Sequence, residues 1–328
     1  DHADGQTRSD WVLRFFRNAP EHRFVGAIHN QLCPEFHAKA ERDGMRLAME
    51  AEFAIDHWGY SRDAKRSKKK DERSLRLYER ALRDEPDNVF LRYKYADFLR
   101  GQGDPERALA ALDDVSERVE AFPPEERASY TWCTECYALH ALELMNAGRL
   151  DEAMVRLEQA THCPVTANLC FVYGLWCLKT EQWAEALQAF VDCRSIDGPA
   201  SMQAPAPGVT TWKSALGMAE ALFGAGRVDE GVDLVVSEAA AHPESPELCV
   251  RAVQLLAENR GVDSALRACR MGLERFPHNA LLLMLAAEIL LSKGAAENAL
   301  EAARAALECA PEANRASARA LVERCSAA

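Results

Sequence analysis

Small and bulky apolar positions recur along most of the chain at a fixed spacing. A compact residue is followed four places later by a larger one, and three places after that by a third that is again mostly compact. The sets are Ser74–Tyr78–Ala81, Ala108–Leu112–Val115, Ala153–Leu157–Ala160, Ala186–Phe190–Cys193, Gly231–Val235–Glu238, Ala265–Cys269–Gly272 and Ala299–Ala303–Ala306. A helix turns once in 3.6 residues, so offsets of four and seven put each set on one helix face. Successive sets begin 33 or 34 residues apart, except for two intervals of 45, from Ala108 to Ala153 and from Ala186 to Gly231. Pro86, Pro164, Pro243, Pro277 and Pro311 follow their sets. Proline cannot continue the hydrogen-bond ladder, so each marks a helix end.

A second helix is predicted ahead of each set. Twelve residues before the leading residue stands another small one, at Ala96, Ala141, Gly174, Ala219 and Ala287. Small residues are needed where two helices cross closely. Gly103, Gly148, Gly226 and Gly294 mark the turn inside the hairpin, where a left-handed residue ends the first helix. The pattern thus predicts helical hairpins over 63–328, about six and a half in number, with extra segments near 117–128 and 198–208. The second extra segment, rich in Pro, Gly and Ala, reads as a surface loop. Each is either a tolerated loop or an elaboration of a binding face. A last helix over 313–325 carries Arg315, Arg319, Glu323 and Arg324 among alanines, which suits a polar cap on a stack.

On these residues the region resembles the tetratricopeptide repeat family. The resemblance implies a mainly α fold, a right-handed superhelix of helix-turn-helix hairpins. It also implies a concave groove, lined by the first helices, that holds a protein partner or an extended peptide. Candidate groove residues are Arg92, Tyr95, His140, Tyr173 and Met218, each of which is either ligand-facing or packed between helices. Lys and Asn do not recur at matching positions, so capture of a peptide C-terminus is not expected.

Composition narrows the classes. With 48% hydrophobic and 27% charged residues the chain is globular. It has no apolar run long enough to cross a membrane, and no signal-like start. Residues 1–100 hold 20 Lys and Arg against 18 Asp and Glu, whereas the rest hold 19 against 33. An acidic repeat region argues against a nucleic acid partner. Eleven cysteines without a small secreted framework suggest free thiols and a cytoplasmic setting. Cys133 and Cys136 form a lone CxxC, read as core packing or, alternatively, as a metal or redox pair. The five cations of Lys65–Lys70 start a solvated helix or, alternatively, meet a phosphate or membrane surface.

The front of the chain departs from the repeat pattern. Trp11–Asn18, Phe24–Leu32 and Glu50–Tyr60 read as short strands, with aromatic and β-branched residues around polar ones. Arg14–Asn18, Phe24, Gly26, Ile28 and His29, then His57, Gly59 and Tyr60, resemble the C-terminal end of the catalytic domain of bacterial family 2 glycosyltransferases. That resemblance implies that residues 1–62 are a strand-containing remnant of an α/β domain of the GT-A type. The full-length protein would then transfer a sugar from a nucleotide-sugar donor, with Mn or Mg as divalent metal. His29 would lie near the donor diphosphate as a metal ligand, and His57 in the same neighbourhood; each is otherwise a strand histidine satisfied by backbone. Asn30 stands where the family commonly has Glu. The fragment lacks the donor-binding half, so no catalytic residue is expected within it. The protein is then membrane-peripheral or cytosolic, its repeats recognising the acceptor or a partner. The alternative is a non-catalytic protein–protein interaction scaffold.

Overall fold

In the computed structural model, residues 70–196, 205–243 and 245–327 are described, with 24–26, 28, 31–32, 42 and 44 ahead of them. Fifteen α-helices occupy most of these residues. The first, α1 (Lys70–Asp84), opens on Asp71 and Glu72 and closes on Arg83, matching charge to the helix dipole at both ends. It is the lone second helix of an incomplete unit. Then come the pairs α2 (Val89–Gly101) with α3 (Pro105–Glu120), and, after the one-turn α4 (Pro124–Arg127), α5 (Thr131–Asn146) with α6 (Leu150–Ala160). Helices α7 (Ala167–Lys179) and α8 (Trp183–Ser195) follow, and then a π-turn over Val209–Lys213. Three more pairs are α9 (Ser214–Gly224) with α10 (Val228–Ala241), α11 (Pro246–Asn259) with α12 (Val262–Arg275), and α13 (Ala280–Ser292) with α14 (Ala296–Cys309). The last helix is α15 (Glu312–Ala327).

Local signals explain the boundaries. Asn88, Asp104, Ser245 and Asn279 cap their helices by accepting the N–H three residues on, from Leu91, Arg107, Leu248 and Leu282. Hairpin turns close on a left-handed residue, glycine in five cases, from Gly103 (φ 76°) to Gly294 (φ 74°). The turn between α7 and α8 instead uses Glu181 at φ 60°, the one non-glycine with positive φ among the described residues.

The crossing positions are where the sequence pattern placed them. Ala96, Ala108, Ala141, Ala153, Ala265, Ala287 and Ala299 have no exposed surface, and the larger partners Leu112 and Val235 are likewise fully buried. The chain forms two compact units, Asp1–Trp176 with Asp192–Thr210, and Cys177–Val191 with Thr211–Ala328. In the first, α2 packs on α3, α3 on α5 and α5 on α6, and α2 also meets α5. In the second the same ladder runs from α9 through α15, with α11 touching α13 and α13 touching α15. Within each unit the helices therefore pack on those close to them in sequence, which makes each unit a helical stack.

Ahead of the stack, Phe24–Val25 and Gln31–Leu32 form a two-residue antiparallel ladder, and Ile28 packs on the Tyr78–Ala81–Leu91 cluster. That ladder does not establish a remnant α/β domain, so the strand-rich front expected from the sequence is not shown. His29 and His57 lie outside the described residues.

Candidate functional site

Position within a first helix decides what a side chain meets. Tyr95, His140, Tyr173 and Met218 all stand one residue before the small crossing residue: Ala96, Ala141, Gly174 and Ala219. In the first unit, this position turns toward the preceding second helix. Tyr95 accepts from Arg107 Nη2 of α3 at 3.0 Å, and its ring lies 5.5 Å from that of Tyr78 on α1. His140 has no exposed surface, so it is not a groove residue. Tyr173 is half-buried, with its ring parallel to Trp176 at 6.3 Å, and Met218 is half-buried. Arg92 donates to the Pro86 carbonyl through Nε and Nη2, at 2.9 and 2.6 Å, and pairs with Asp114 at 2.9 Å. Arg92, Tyr95 and Arg107 line a cavity of about 350 Å³ with Leu82, Leu99 and Asp114. These polar groups already satisfy one another there.

His140 sits in a chain of contacts with the order seen in hydrolases. Ser116 Oγ lies 2.8 Å from His140 Nδ1, and Asp113 Oδ1 lies 3.3 Å from Nε2. Two facts remove catalysis from this cluster. Ser116 is fully buried, so no substrate reaches its hydroxyl. Burial, with Arg156 and Arg149 adding repulsion, lowers the His140 pKa to about 3, and such an imidazole is a poor base at neutral pH. Glu152 favours the charged ring. Desolvation outweighs it.

The thiols are equally quiet. Cys133 and Cys136 are fully buried. Burial pushes Cys133 up to about 12 and raises Cys136 as well, the reverse of what a reactive cysteine needs. Among the described residues no group of three or more His, Cys, Asp or Glu is placed to hold a metal ion.

A different row crosses the first helices of the first unit. Phe90, Glu135 and Asn168 stand six residues before Ala96, Ala141 and Gly174. They therefore hold equivalent places on α2, α5 and α7. Five residues separate this row from the Tyr95–His140–Tyr173 position, which is about 140° around a helix. The equivalence is visible in a bond: Asn168 Nδ2 donates to Glu135 Oε2 at 2.7 Å. At the other end the row is aromatic. Trp132 meets Phe90 edge-on at 5.6 Å and stacks on Tyr93 and Tyr130 at 6.2 and 6.0 Å. Lys94 Nζ lies 4.8 Å from the Tyr93 ring centre and 5.4 Å from that of Phe90. Such a cluster offers flat apolar area beside a cation.

Both extra segments touch this region. In the first, α4 brings Arg127 Nη1 to Glu120 Oε2 at 2.7 Å, and Tyr137 donates its hydroxyl proton to the same carboxylate. Phe122, in the same segment, sits edge-on to Trp132 at 6.1 Å. In the second, the backbone N–H of Ala206 donates to Asn168 Oδ1 at 3.0 Å. Cys193 Sγ donates to the Val209 carbonyl at 3.3 Å, and Val209 itself is buried.

Comparison with known proteins agrees with the helical pairs. Residues 72–123 and 250–314 each match a tetratricopeptide repeat model. A TPR repeat-containing protein of Synechococcus elongatus is 29% identical over 164 residues, half of this chain, and the match spans 39% of the relative's own length. A tetratricopeptide repeat protein from Parabacteroides merdae superposes with a TM-score of 0.55 at 16% identity, over 80% of this chain and 94% of that one. The Cut9–Hcn1 hetero-tetramer structure gives 0.53 at 10% identity, over 84% of this chain and 50% of that one. These structural likenesses concern the fold. No helix among the described residues is long and apolar enough to cross a membrane.

Proposed function

From a chain that carries tetratricopeptide repeats, we propose a non-catalytic scaffold on which the half-buried Phe90, Trp132 and Asn168 of the first unit's first helices, backed by the buried Tyr93 and Glu135, hold an extended peptide of a protein partner. The observation that carries this is the equivalence of the Phe90, Glu135 and Asn168 positions, bridged by the Asn168–Glu135 bond. A row of side chains across successive helices meets an extended chain at regular intervals, and its two ends differ in chemistry. The aromatic end with Lys94 suits a proline or aromatic side chain. The amide end suits a backbone N–H. Buried aromatic anchors dominate such interfaces, at roughly 2 kcal/mol or more for a hot spot.

Display selection of peptides on the intact chain tests the reading. Peptides that bind the wild type should lose about thirty-fold with Trp132→Ala. Selected peptides indifferent to both Trp132→Ala and Asn168→Ala would place the binding face elsewhere. The ten cysteines found free among the described residues support a reducing, cytoplasmic setting for the scaffold.

The glycosyltransferase reading, with residues 1–62 as the tail of a sugar-transferring domain, is a separate proposal. It rests on the sequence motif around His29 and His57, and the matched family segments begin only at residue 72. Donor hydrolysis by the full-length protein with Mn²⁺ should fall on His29→Ala; an unchanged rate removes His29 from the site.

A further inference from the structure

The second extra segment ends in Pro205–Ala206–Pro207–Gly208. Proline supplies no N–H and biases the residue before it toward extended backbone. Within Pro-Ala-Pro, Ala206 therefore holds the one available amide proton, and that proton goes to Asn168 Oδ1 at 3.0 Å. Asn168 is itself oriented. Its Nδ2 faces the Glu135 carboxylate, an acceptor, so the oxygen is the atom left to read an incoming donor. Glu135 and Asn168 belong to the row assigned above to an extended peptide. The chain's own Pro-Ala-Pro is such a peptide.

We propose that Pro205–Gly208 acts as an internal ligand of the row: Ala206 occupies Asn168, and a partner strand must displace it to bind. The inference rests on the peptide-binding reading of the row. Two features make the displacement reversible. Ala206 is exposed and is held at Asn168 by a single hydrogen bond. Just beyond it the chain is anchored, because Val209 is buried, its N–H bonds Ala206 O at 3.0 Å, and its carbonyl accepts from Cys193. A tethered segment competes at high effective concentration however weak its contact. One net hydrogen bond changes affinity by about two- to ten-fold, which sets the expected scale.

Two substitutions separate this device from a loop that is merely fastened. Ala206→Pro removes the internal donor and leaves the Asn168 acceptor in place. Asn168→Ala removes the acceptor. The probe is a synthetic peptide of residues 204–209, titrated at millimolar concentration into the ¹⁵N-labelled intact chain while the backbone amides of residues 167–170, present in every variant, are followed. Ala206→Pro should bind the peptide about two- to ten-fold more tightly than wild type, and the Ala206→Pro/Asn168→Ala double variant should show no saturable shift. Circular dichroism and the unfolding midpoint check that each variant is folded. Equal titration of wild type and Ala206→Pro, no titration of either, or undiminished binding by the double variant overturns the proposal. Display-selected peptides that need Trp132 yet ignore Ala206→Pro would leave the scaffold reading standing and sink this one alone.

Discussion

Lowering the pH from 7.5 to 5 should weaken the fold through His140 in particular. The ring's ordinary value of 6.5 falls to about 3 in the folded chain, chiefly by burial. As pH drops through 6.5 the unfolded chain takes up a proton that the folded chain refuses until about pH 3, so protons favour unfolding. The contribution is complete above 6.5 and is lost progressively below it. Each unit between the two values is worth 1.36 kcal/mol, so the 1.5 units from 6.5 to 5 cost about 2 kcal/mol. That is a large share of a typical 5–15 kcal/mol. Urea unfolding at several pH values, wild type against His140→Gln, isolates the term. Carboxylates elsewhere are common to both proteins, and Gln can still meet Ser116. Wild type should lose about 2 kcal/mol more than the variant across this range. Parallel pH profiles would refute the reasoning and place the charged ring inside the fold.

Two further perturbations probe the packing. A Cβ added at Gly217 would lie 2.4 Å from Cζ of Phe190, so Gly217→Ala should destabilise the second unit by about 1–3 kcal/mol. Phe190→Leu in the same chain should recover part of that loss, and additive thermal shifts in the double variant would argue against the contact. Glu181→Gly relieves a left-handed non-glycine costing about 1–2 kcal/mol and adds about 0.5–1 kcal/mol of backbone entropy. The net gain should be about 0.5 kcal/mol, seen as a later urea midpoint; a clear loss would mean the turn depends on the Glu side chain.

The helical hairpins were legible in the sequence because close crossings admit only small residues. Ala108, Ala153 and Ala299 announce themselves by size alone, and the glycine turns by backbone freedom. The turn at Glu181 gave no such signal, since a glutamate does not advertise positive φ. The row proposed to hold a peptide was harder to read. Choosing Tyr95, His140, Tyr173 and Met218 followed the conspicuous residues beside the crossing positions, which lie some 140° from the row. Along the row the chemistry changes from Phe90 to Glu135 to Asn168, so no repeated residue type marks it. A register count back from Ala96, Ala141 and Gly174 would have found it. The Ala206–Asn168 bond joins residues 38 apart and follows from folding, with no local pattern to foretell it.

Both extra segments enter at the same kind of joint, where a second helix hands over to the next first helix: residues 121–130 after α3 and 196–213 after α8. The turns inside hairpins are a few residues long, fastened by a single left-handed residue, and an added residue there would rotate one helix against its partner. At the handover the chain can lengthen without moving either helix. Genes encoding such stacks can therefore gain or lose sequence at these seams while every crossing is preserved, and a grafted epitope or reporter belongs at the seam after α8, where growth has already been accommodated once.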